Sequence, residues 1–201
     1  MRMKITLLAL AAIAFAAPAS AQQLFDFLGQ ADVPVAVGGT LTMYGVVNDP
    51  APGATPIPLD FADYQFTLVV TDLTLDADAS TQTYSGGTIT LYQDAGTAAD
   101  YADPATFTDG TAILSGDLTA LSRTMFTSTL GTANGVVDWT GGTRLDDIAP
   151  ADQDNWAFLT GINANFAEDG YSEMWDGKVE PEHDIVPTEV RSWGSLKALL
   201  R

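Results

Sequence analysis

Apolar and polar residues alternate with a period of two over many stretches of this chain. Ile89 and Leu91 alternate with Thr88 and Thr90 directly after Gly86-Gly87, the pattern of a strand with one buried face. In the next such run, Ala112, Leu114, Gly116 and Leu118 share a face. Between the two, residues 94–110 carry Asp94, Asp100, Asp103 and Asp109 with Gly96 and Pro104, a composition that favours turns over helix or strand. The unit reads as two strands joined by a loop of roughly 17 residues, longer than most connections in compact domains and of a kind usually functional or disordered.

The same alternation predicts strands at residues 40–47, 64–75, 83–92, 111–118, 124–130, 136–139, 155–162 and 171–179. Within 64–75 the apolar parity switches: Phe66, Leu68 and Val70 share one face, whereas Leu73 and Leu75 fall on odd positions. A β-bulge near Thr71-Asp72, or a strand crossing between sheets, produces such a switch. Pro50, Pro52, Pro56 and Pro58 mark a loop, because proline fixes φ and removes a ladder donor. Asn134-Gly135 and Gly141-Gly142 predict tight turns, and residues 146–154 form a second acidic loop. Many short strands with Thr-rich faces and no long 3.6-residue period predict an all-β fold. The architecture expected over residues 22–179 is an antiparallel, jelly-roll-like β-sandwich. An up-and-down barrel is the alternative, since strand order is not readable from one sequence.

The two ends of the chain break this pattern. Residues 1–21 hold Arg2 and Lys4, an apolar run and Ala19-Ser20-Ala21, the three regions of a secretory signal peptide; the run is too short to span a bilayer. Residues 180–187 read as a charged linker containing Pro181 and Pro187. Beyond it, Val190, Trp193, Leu196 and Leu200 recur at helical spacing after Thr188-Glu189, so residues 188–201 are expected to form a short amphipathic helix.

Composition changes the picture in three ways. Removing Arg2 and Lys4 with the signal takes the formal net charge from −18 to −20, a surface that repels nucleic acid and anionic membranes. The chain has no cysteine, which excludes disulfide staples, cysteine-ligated metals and thiol catalysis. Its single histidine, His183, sits among Glu180, Glu182 and Asp184 in the linker, a poor setting for a general base. With no Gly-x-Ser-x-Gly and no phosphate-cradling loop, the chain reads as a non-catalytic protein.

Two constellations remain. Asp94, Asp100, Asp103 and Asp109 crowd four carboxylates into one loop, which makes calcium the candidate cofactor, since hard cations take oxygen ligands. Residues 76–82 begin like an EF-hand loop but have Thr81 where glycine is needed and Gly87 where a bidentate glutamate is needed. Tyr171 and Trp175 share strand parity, so one face would present both rings to a polysaccharide.

The runs at residues 86–94 (GGTITLYQD), 101–111 (YADPATFTDGT) and 175–179 (WDGKV) resemble exported bacterial β-sandwich proteins of no assigned activity, of the loose PEP-CTERM or choice-of-anchor kind. The resemblance covers about half of the mature chain and brings no catalytic residues. The chain departs from the PEP-CTERM pattern after Pro187, where no apolar segment with a basic end follows. The expected function is that of a secreted or cell-surface envelope or matrix component, with a glycan-binding module as the alternative.

Overall fold

The computed structural model describes residues 24–49 and 55–182. The expected signal peptide and C-terminal helix lie outside the described residues, as do residues 183–187 of the linker. Nine strands form: β1 (Phe25–Asp32), β2 (Thr40–Asn48), β3 (Gln65–Ala77), β4 (Thr81–Ser85), β5 (Gly87–Asp94), β6 (Thr111–Met125), β7 (Leu130–Gly141), β8 (Trp156–Asn163) and β9 (Glu173–Glu180). β4 and β5 are two halves of one interrupted strand, because Thr74 pairs with Ser85 and Thr71 with Thr88 in a single register. The break falls at Gly86, whose φ of 74° is costly for any residue with a Cβ.

With β4 and β5 counted as one strand, every strand pairs antiparallel with its neighbour in the chain, and β9 returns to pair with β1. The result is a closed eight-stranded antiparallel barrel, which corrects the expected jelly-roll-like sandwich. A jelly roll divides its strands between two sheets, whereas here one continuous sheet buries its own inner face and leaves no edge. Both architectures draw on the same alternation, so the pattern alone does not separate them.

Eight strands enclose an interior just wide enough for side chains to fill. Phe25, Phe27, Met43, Leu68, Leu91, Leu114, Val137, Phe158 and Trp175 occupy it, all sealed from solvent. Toward one end, Phe25 stacks on Trp156 at 6.0 Å and meets Trp139 edge-on at 6.3 Å. Phe27 and Phe158, 5.4 Å apart, continue the stack toward Trp175.

The parity switch near Thr71-Asp72 is a bulge. Met43 pairs with Val70 but Leu41 with Leu73, so β3 carries one extra residue there, and Asp72 takes φ 62°. β6 has a matching bulge at Ala120, φ 52°, where Thr119 faces Val136 and Ser122 faces Asn134. Both lie where β5 hands over to β4. Consequently β6 is one strand of 15 residues rather than two runs, and Asn134-Gly135 lies inside β7 rather than in a turn. The hairpin tip is at residues 126–129. Gly135 is needed for close approach instead: a Cβ there would sit 3.0 Å from Leu118 Cδ1 and 3.2 Å from Leu121 Cδ1.

The two ends of the barrel differ. One carries residues 33–39, 78–80, 126–129 and 164–172; the other carries 49, 55–64, 95–110, 142–155 and the end of the described chain at Glu182. Among the described residues, no helix is long and apolar enough to cross a membrane.

Candidate functional site

Three places gather side-chain chemistry, and the first lies inside the barrel. β6 aims Arg123 inward just past its bulge, and β9 opens with Glu173 facing it. Arg123 Nε donates to Glu173 Oε2 at 3.1 Å, and Nη2 donates to Oε1. Nη1 donates to Gln82 Oε1 at 2.7 Å, which also accepts from the Tyr84 hydroxyl at 2.9 Å. Trp175 Nε1 donates to Glu173 Oε2 at 3.0 Å. The side chains of Arg123 and Glu173 are 12% and 4% exposed, so the pair lies where an unpartnered charge would be costly to bury. Burial pushes the Tyr84 hydroxyl up to about 12, with the Arg123 charge opposing the rise. Within the network Glu173 accepts three hydrogen bonds, and Arg123 donates three, to Glu173 and Gln82. It ties β4, β6 and β9 together. The sequence analysis missed it, because Arg123, Gln82 and Glu173 are far apart in the chain; the one available signal was charge at inward positions of otherwise apolar strands.

The second place is the long connection. The connection leaves residues 95–98 and 102–105 exposed but packs on the outer wall of β1, β2 and β3 through Tyr101 and Phe107. A 3₁₀ turn, Pro104–Phe107, presses Phe107 into full burial. Thr67 Oγ1 donates to the Phe107 carbonyl at 2.7 Å, and the Tyr101 hydroxyl to the Leu28 carbonyl at 3.0 Å. Tyr101 and Tyr44 lie 4.9 and 5.5 Å from the Phe107 ring, with Tyr171 beside both tyrosines. Burial, with Tyr171 and Glu168 adding to it, pushes the Tyr101 hydroxyl up to about 12.

The carboxylates of this loop serve its own backbone. Asp94 accepts from the Thr97 and Gly96 amides, which hold it below the usual carboxylate range. Asp100 accepts from the Ala102 amide and Asp103 from the Ala105 amide, capping the 3₁₀ turn. Asp109 is exposed on the strand side of Phe107. Among the described residues, no three His, Cys, Asp or Glu side chains converge as a metal site. Tyr171 and Trp175 are not brought onto one face: Tyr171 lies on the outer wall ahead of β9, and Trp175 is fully buried in the interior.

The third place is an open groove of about 630 Å³ at the end where the described chain leaves. Buried Ile148 and Trp156 with Pro56 supply its apolar part, and Asp147, Asp152, Asp154 and Glu182 supply charge. Trp156 is fixed there by donating its indole N–H to the Asp152 carbonyl at 2.6 Å. Arg144 pairs with Asp147 at 2.7 Å and donates to the Pro58 carbonyl, joining the loops on either side.

The site and fold together define a closed, side-chain-filled, acidic β-barrel. No protein-family model, curated protein or solved structure matches the chain.

Proposed function

We propose that this chain is an exported, non-catalytic β-barrel that acts through its outer surface as an envelope or matrix component. The observation that carries the reading is the filled interior. A barrel of eight strands can hold a small ligand only if inward side chains leave room, and here Phe27, Phe158 and Trp175 occupy the middle while Arg123 and Glu173 spend their hydrogen-bonding capacity on each other and on Gln82 and Trp175. Export rests on the signal-like residues 1–21. The glycan-binding alternative loses one of its two rings to the core and keeps only Tyr171, half-buried on the outer wall.

Fractionating the producing cells and following the full chain with an antibody tests export. The expected location is outside the cytoplasm, and recovery with cytosolic markers overturns it. The purified chain is then incubated with a panel of polysaccharides. Neither hydrolysis nor retention is expected; product formation, or retention abolished by Tyr171→Ala, replaces this reading with an enzyme or a glycan-binding module respectively.

A further inference from the structure

We propose that the groove at the loop-rich end of the barrel is the docking site for the C-terminal segment of the same chain, residues 190–201. Two features of the groove specify its occupant. In its apolar part, beside Pro56, Ile148 and Trp156 belong to the barrel core, so it offers a place for a large apolar side chain. Its exposed part carries Asp152, Asp154 and Glu182, beside Asp147, which already holds Arg144. An occupant therefore needs apolar side chains interleaved with positive charge. The barrel itself has none to give: each cation among the described residues, Arg123, Arg144 and Lys178, is ion-paired to a carboxylate of its own.

Residues 190–201 match both requirements. They contain Val190, Trp193, Leu196 and Leu200 with Arg191, Lys197 and Arg201, and no acidic residue. All but Asp184 and Glu189 of the 26 acidic residues lie in the barrel, between Asp26 and Glu182. The chain also ends its described course at the groove, since Pro181 and Glu182 help to line it. Each step along the chain from Glu182 to residue 190 spans at most ~3.6 Å, which keeps residue 190 within ~29 Å of Glu182. A tether this short gives an effective concentration of order millimolar, so docking within one chain outcompetes docking to a second copy at micromolar protein. A volume of about 630 Å³ is in the range of small-molecule sites. It accommodates one large anchor and its neighbours rather than all twelve residues. Trp193 is that anchor, with Arg191 and Lys197 placed to meet Asp152, Asp154 and Glu182.

The absence of cysteine makes the test clean. Cysteines are introduced in the full chain at exposed Ala151, on the groove, and at Ser195, in the tail; a second protein pairs Ser195→Cys with Ala98→Cys, exposed at the same end of the barrel but off the groove. Under dilute, mildly oxidising conditions the 151/195 pair is expected to close within one chain at least about tenfold faster than the 98/195 pair, the advantage of a held tail over a merely tethered one. Raising the salt concentration, or changing Arg191, Lys197 and Arg201 to Gln, is expected to slow that closure. Equal rates for the two pairs mean a free tail and overturn the proposal. So does a disulfide that forms only between chains, which assigns the groove to the tail of a second copy. Closure insensitive to both salt and the Gln substitutions removes the charge basis of recognition and likewise overturns it.

Discussion

Trp139 and Trp175 are both sealed in the barrel, yet their indole N–H groups differ in what they meet. Trp175 Nε1 donates to Glu173, whereas Trp139 Nε1 is buried with no hydrogen-bond partner. Replacement by Phe removes a similar volume at both positions but deletes a made hydrogen bond at one and an unsatisfied donor at the other. A hydrogen bond to a charged, buried acceptor contributes about 1–3 kcal/mol. Trp175→Phe is therefore expected to cost about 1–3 kcal/mol more than Trp139→Phe, and equal losses in chemical denaturation would remove Glu173 as a significant partner of Trp175. The phenols of Tyr84 and Tyr101 give a pH counterpart. Both are raised from 10.0 to about 12 in the folded chain, chiefly by burial. The folded state thus holds protons that the unfolded state releases. The stability these groups contribute is fully present below pH about 10 and is lost as pH rises toward about 12. Tyr84→Phe and Tyr101→Phe are each expected to flatten that alkaline loss of melting temperature. An unchanged slope in the double variant would assign the alkaline transition to other groups.

At the scale of elements, the connection between β5 and β6 is held by Phe107 rather than by its aspartates. Phe107→Ala is expected to cost about 3–5 kcal/mol, the usual range for emptying a sealed aromatic site. Asp100 and Asp103 accept hydrogen bonds from amides two residues on, a role asparagine also fills. Changing both to Asn should stay within about 0.5 kcal/mol, as for ordinary surface substitutions, whether calcium or EDTA is present. A calcium-dependent shift abolished by the double substitution would restore a metal role to the loop. The contrast shows what was legible in the sequence. Strands β2, β3, β5 and β8 were largely visible as alternation, though β1 was not, and the bulge in β3 was visible as a parity switch, because such features are written in side chains a few residues apart. The second bulge, at Ala120, was not, since Ala carries no mark of a positive φ. Nor was the position of Asn134-Gly135 inside β7: the same dipeptide that closes hairpins also admits Leu118 and Leu121 from the neighbouring strand. Ring closure and the Arg123–Glu173 pair depend on partners from 50 to 150 residues apart, and no local pattern encodes them. Trp175 illustrates the same limit, because strand parity places it on a face but does not say whether that face is the inside or the outside of a barrel.

At the scale of the whole molecule, charge is unevenly spread along the barrel axis. The loop-rich end holds Asp60, Asp63, Asp109, Asp146, Asp147, Asp152 and Asp154, while residues 33–39 and 126–129 at the opposite end carry no charge and expose Val35, Val37 and Phe126. Folding brings the acidic loops together from distant parts of the chain, so like-charge repulsion is greater in the folded state than in the unfolded one. Salt screens that repulsion over a Debye length of about 10 Å at 0.1 M and 3 Å at 1 M. It also weakens ion pairs, but Arg144–Asp147 is partly exposed, and such a pair contributes only about 0–1 kcal/mol. Repulsion is the larger effect here, and sodium chloride is expected to raise the melting temperature. Asp63, Asp109 and Asp146 are exposed and lie outside the groove proposed for the C-terminal segment. Changing these three to Asn should raise the melting temperature at low salt and shrink the salt-induced gain, whereas Asp169→Asn, at the opposite end, should alter both little. A melting temperature that falls with salt, or a gain of the same size in the triple variant, would mean that the acidic end is already relaxed by its own solvation and that the asymmetry has no energetic consequence for the fold.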